Sequence, residues 1–120
     1  MTQKEIKKLV FDVYEKITKH YGESPYQQSI PYIVFETSPY SDSDDKELIG
    51  EYCSMMNEIV VYWKNIPSPE VLIRTMVHEY QHYLQSPSWM TRYYNMGYDY
   101  HNHPYEIKAY NEEENWVKFS

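Results

Sequence analysis

Apolar residues recur at helical spacing at the start of the chain: Ile6, Leu9, Val10, Val13 and Ile17 form one stripe among charged neighbours. Thr2-Gln3-Lys4-Glu5 has the form of a capping box, with Thr2 as N-cap and Glu5 at the third helical position. Gly22 and Pro25 stop the pattern, so the spacing predicts an amphipathic helix over 3–20 packed on a sheet. The period then shortens. Tyr32-Ile33-Val34-Phe35-Glu36 reads as a short strand rich in β-formers. Residues 48–54 and 58–63 read as two more, joined by Met55-Met56-Asn57. That link is short enough for a hairpin, and Asn57 tolerates a left-handed turn conformation.

Helical spacing returns after Pro67. Ser68 is the expected N-cap, Pro69 sits in the first turn and Glu70 lies near the positive end of the dipole. Leu72, Ile73, Met76, Val77, Tyr80, Tyr83 and Leu84 carry this helix to about Gln85, and Pro87 ends it. Residues 86–103 are rich in Tyr and His and read as a connection to which no helix or strand is assigned. A last helix is expected from Pro104 to about Lys118, with Ile107, Tyr110 and Trp116 or Val117 packing inward. These elements predict a single α+β domain over 1–120. Its parts are an N-terminal helix, a small three- or four-stranded sheet with a hairpin, a central helix and a C-terminal helix.

Composition narrows the function classes. The net charge is −7, with 18 acidic and 11 basic residues interspersed, so no basic stripe awaits a nucleic-acid backbone. Cys53 is alone, which removes internal disulfides and cysteine zinc clusters; it is expected to pack within a strand. The N-terminus lacks the apolar core of a signal peptide, and no apolar run approaches the ~20 residues that span a bilayer. A cytoplasmic protein without membrane attachment is the expectation. Ser41-Asp42-Ser43-Asp44-Asp45 resembles a calcium loop superficially, but Lys46 and the missing glycine break the EF-hand pattern, leaving a solvated loop. There are 15 tyrosines against 3 phenylalanines, read as a half-buried shell of rings whose hydroxyls reach water.

The chemistry concentrates at His78-Glu79-Tyr80-Gln81-His82. At 3.6 residues per turn, positions i and i+4 face the same way, so His78 and His82 can hold one ion while Glu79 lies beside it. With 5 His and 13 Glu in 120 residues, chance produces such a match roughly 0.02 times per chain. Catalytic zinc takes three protein ligands. A histidine six residues on is excluded, because Gln85 and Ser88 stand where a glycine and that histidine are needed. Asp99, His101, His103, Glu106 and Glu112-Glu113-Glu114 remain. Glu106 is favoured: it falls in the first turn of the last helix, and Ala109 on the same face allows close helix approach. Glu112 to Glu114 read as a solvated face.

With the hairpin ahead of the helix, the pentapeptide and Glu106-x-x-Ala109 beyond it, residues 30–117 resemble a zincin, more narrowly a very small gluzincin-type metallopeptidase. The resemblance implies one zinc held by His78, His82 and Glu106, and a zinc-dependent hydrolase that cleaves peptide or protein substrates. It implies that Glu79 deprotonates the attacking water, and that the strand at 58–63 is the edge on which a peptide lies. A second electrophile is also needed. His103, Tyr100, His101 and Tyr110 are candidates, with His103 preferred because it sits one turn before Glu106. The chain is much shorter than well-studied gluzincins. The alternative expectation is therefore a zinc-stabilised interaction module serving a partner protein or larger assembly through the Tyr-rich 86–105 segment.

Overall fold

The computed structural model describes residues 1–37 and 48–120. The acidic segment from Ser41 to Asp45, expected as a solvated loop, lies outside the described residues. Four helices pack on a three-stranded mixed sheet. The first helix, α1 (Gln3–Tyr21), is capped by Thr2, whose hydroxyl accepts the Glu5 N–H, and Ile6, Val10, Val13 and Ile17 are all buried. Strands β1 (Tyr32–Glu36), β2 (Gly50–Cys53) and β3 (Glu58–Tyr62) follow, and Asn57 turns the β2–β3 hairpin at φ 51°.

The strand order is β1-β3-β2, with β1 parallel and β2 antiparallel to β3. This corrects one expectation. β3 is the central strand, bonded on both sides, so it cannot be an edge for a substrate; among the described residues β1 and β2 are the edges. Ile59 and Val61 of β3, with Ile33 and Phe35 of β1, face the helices.

The central helix, α2 (Pro69–Leu84), starts as expected, with the Ser68 hydroxyl accepting the Val71 N–H and Pro69 in the first turn. Leu72, Ile73, Met76, Val77, Tyr80 and Tyr83 of α2 complete the core. Three buried tyrosines depart from the water-facing reading. Tyr14 donates to Pro31 O at 2.5 Å, Tyr80 donates to Gly22 O, and the Tyr83 hydroxyl accepts the Ser24 N–H at 3.0 Å. They use their hydroxyls to tie down the backbone of residues 22–31, which would otherwise lack partners there.

The connecting segment, to which the sequence assigned no element, contains a helix, α3 (Pro87–Asn95). Ser86 caps it through the Trp89 N–H, with Pro87 in the first turn, repeating the Ser68-Pro69 start of α2. The last helix, α4 (Pro104–Glu112), tightens into a 3₁₀ segment over Glu113–Phe119. Its inward residues also differ from expectation. Ile107, Tyr110 and Val117 are exposed, while Ala109 and Phe119 are buried and Trp116 packs on the core. Ala109 is fully buried on α4, which packs against α2. No helix among the described residues is long and apolar enough to cross a membrane.

Candidate metal centre

α2 presents His78 and His82 one turn apart on one face, their ring centroids 5.0 Å from each other. α4 lies against that face and directs Glu106 at both. Glu106 Oε1 is 2.5 Å from His82 Nε2, and Oε2 is 3.5 Å from His78 Nε2. One ligand atom from each of the three residues lies within 4.8 Å of the other two. Ligands about 2 Å from a tetrahedral zinc stand about 3.3 Å apart, so the group fits such an ion with small side-chain adjustments. Glu106 is buried, and its Oε2 makes no close hydrogen bond, standing 3.5 Å from His78 Nε2. The donor set of two imidazoles and a carboxylate suits zinc.

Asp99 and His101, the rival ligands from the connecting segment, are elsewhere. Asp99 accepts the backbone N–H groups of His101 and Asn102 and closes a turn, and His101 is exposed.

Glu79 points from α2 toward the sheet edge, where its Oε1 accepts the Tyr52 N–H of β2 at 3.0 Å. Burial pushes its carboxyl up to about 7, against the opposing pull of His82 and His78. For Glu106, burial also acts upward. The hydrogen bonds from His78 and His82 prevail and hold it well below the ordinary carboxylate range. Burial lowers His78, but Glu106 and Glu113 override it and bring the imidazole to about 10. His82 is likewise raised, with burial opposed by Glu106. Glu79, Glu106 and Glu113 thus surround the two imidazoles with carboxylates, a group that could hold a divalent ion.

A cleft of about 420 Å³ opens over these residues. One wall is the β2 edge with Leu48; the other includes Pro87, Met90, Thr91 and Tyr94 of α3, with Tyr100 beyond them. A smaller hollow of about 220 Å³ continues on the far side of His78, lined by Thr75, Tyr110 and Glu113 among others. Tyr100 lines both, and its hydroxyl meets that of Tyr110 at 2.9 Å. Burial, then the Tyr110 hydroxyl and the charge of Glu106, raise the Tyr100 phenol far above its usual value, so it stays a proton donor.

His103, the preferred second electrophile, does not reach the cleft. It is fully buried as the N-cap of α4, its Nδ1 accepting the Tyr105 N–H at 3.1 Å and its Nε2 3.0 Å from Met90 O. Tyr93, Tyr94 and Tyr105 surround the ring. The physical reason is local: a histidine directly before Pro104 satisfies the orphan N–H groups of the helix start.

Glu113, set aside with Glu112 and Glu114 as a solvated face, and Gln85, not considered as a site residue, each contact a candidate ligand. Glu113 Oε2 lies 2.7 Å from His78 Nδ1, and Gln85 Oε1 lies 2.7 Å from His82 Nδ1. A signal existed in both cases. Glu113 is seven residues after Glu106, two helical turns along the same face, and Gln85 is three residues after His82.

Among known proteins, the chain matches no family model, no curated protein and no solved structure.

Proposed function

We propose that this protein is a zinc-dependent hydrolase of peptide bonds, of the zincin kind. The observation that carries the reading is the convergence of His78, His82 and Glu106 on one point, with Glu79 beside them at the floor of an open cleft. A zinc ion there would supply Lewis acidity toward a carbonyl and bring the pKa of a water nucleophile to about 7.

The chain's own residues supply the rest. Glu79 is oriented by the Tyr52 N–H through one oxygen, leaving the other to take the nucleophile's proton and pass it to the leaving amine. Tyr100 at the cleft wall, kept protonated, is positioned to donate to the developing oxyanion. β2 pairs with β3 through Glu51, so the polar groups of Gly50 and the carbonyl of Tyr52, whose N–H is held by Glu79, point off the sheet. An extended peptide backbone can bond there by strand addition. The 420 Å³ of the cleft fits a few residues of such a peptide.

The test is metal content together with hydrolysis of a quenched-fluorescence peptide library. Purified protein should bind one zinc, and Glu79→Gln should retain it while losing cleavage. Full activity of that variant would remove the proposed mechanism.

A second reading, a zinc-stabilised interaction module, is favoured by one observation. Trp89, Tyr94, Met96 and Tyr98 on α3 and just beyond it are exposed beside the cleft. Under that reading Glu79→Gln leaves partner capture intact, whereas Trp89→Ala with Tyr94→Ala abolishes it.

A further inference from the structure

Two acceptors stand behind the metal centre, one for each histidine, and they differ in charge. Glu113 is the first residue of the 3₁₀ segment, and its carboxylate is 2.7 Å from His78 Nδ1 with a side chain only 19% exposed. Gln85 is the C-cap of α2. Its Nε2 donates to Tyr105 O at 3.0 Å, so the amide can turn only its oxygen toward His82 Nδ1. Neither a carboxylate nor an amide oxygen donates a proton. Each Nδ1 thus has an acceptor for its proton, and each Nε2 faces Glu106, so an ion displacing the Nε2 proton would meet both imidazoles through Nε2.

We infer that Glu113 and Gln85 are positioning residues that preset His78 and His82 as Nε2 ligands before any ion arrives. The inference rests on the metal-centre reading above and goes beyond it, by naming which residues impose the ligand geometry. It also gives α4 and the 3₁₀ segment a joint task. On the face two turns long, Glu106 reaches the Nε2 atoms of both histidines, Tyr110 packs edge-on against the His78 ring at 4.7 Å between centroids, and Glu113 holds the back of that ring. His78 is thus held from three sides by one continuous stretch of chain. Gln85 does the same for His82 while joining the end of α2 to the start of α4 through Tyr105.

The experiment is zinc titration of the full chain against a chromophoric chelator, for wild type, Glu113→Ala, Glu113→Gln and Gln85→Ala, at temperatures where each is folded by circular dichroism. Gln85→Met, which keeps chain length and drops the acceptor, replaces Gln85→Ala if the latter does not fold. The expected result is a zinc affinity about 10- to 100-fold weaker in the variants lacking an acceptor, with Glu113→Gln recovering most of the loss. Proton spectra of the zinc-loaded protein should contain two slowly exchanging imidazole N–H signals. Glu113→Ala should remove one and Gln85→Ala the other. Affinities within about threefold of wild type would overturn the inference, whatever happens to the unfolding midpoint. A wild-type chain that binds no zinc would overturn the metal centre itself, a result separable from the former.

Discussion

The Glu79 carboxylate accepts the backbone N–H of Tyr52 across 3.0 Å, joining the candidate base on α2 to the edge strand β2. The same bond orients the base and takes up one of the outward backbone groups of that strand. A peptide added along β2 would therefore have its register set relative to Glu79.

Replacing Glu79 with Gln should separate chemistry from architecture. The amide oxygen can still accept the Tyr52 N–H, so thermal stability and zinc content should stay close to wild type. Peptide hydrolysis should fall by about 10²- to 10⁴-fold, as expected for loss of a general base, measured as kcat/KM on one peptide.

Gly50 is the point where β2 meets α2. A Cβ there would stand 3.0 Å from Val60 O and 3.1 Å from Thr75 Cγ2, so the strand must shift to accept one. Gly50→Ala should cost about 1–3 kcal/mol in urea unfolding. Activity should fall as well, because the shift moves Tyr52 away from Glu79.

His103 and Tyr100 can be told apart. His103→Ala removes a fully buried cap with two backbone partners and should destabilise by about 1–3 kcal/mol, with kcat preserved in the folded fraction. Tyr100→Phe removes only an exposed-side hydroxyl and should lower kcat by about 10- to 100-fold with little change in KM or melting temperature. The reverse pattern would reinstate His103 as the electrophile.

The metal-stripped protein should be most stable in mildly acidic solution. His78 rises from 6.5 to about 10, so the stability it contributes is complete below 6.5 and is lost as pH climbs toward 10. Glu79, raised from 4.5 to about 7, acts in the same sense. Glu106 is depressed below 4.5, so its contribution is present above that value and is lost on further acidification. The midpoint of urea unfolding, measured across pH, should peak between about 4.5 and 6.5 and decline toward alkaline pH. Saturating zinc should reverse that decline, because the ion binds the deprotonated imidazoles. At a thousandfold excess over Kd it should add about 4 kcal/mol.

Much of the molecule follows from local chemistry. Thr2 and Ser68 cap the helices that their positions announce, Asn57 turns the hairpin, and the apolar stripes of α1 and α2 are the buried ones. These features depend on a few adjacent residues and on the helical period, so the sequence alone determined them. It determined the pairing of His78 with His82 for the same reason. α3 was legible too, since Ser86-Pro87 repeats the Ser68-Pro69 start, but Pro87 also ended the preceding pattern and obscured the new one.

The tertiary structure decided the rest. Parallel pairing with β1 makes β3 central and leaves β2 as the edge strand beside Glu79, and strand order is a long-range choice that no strand carries in its own residues. His103 and Glu113 exchanged expectations: the first is buried as a cap, and the second, one of three consecutive acids, is turned inward onto His78. Charge runs look alike in a sequence whether they are solvated or not. Only the packing of α4 and the 3₁₀ segment on α2, seated by Ala109 and Phe119, determines which acid meets a histidine.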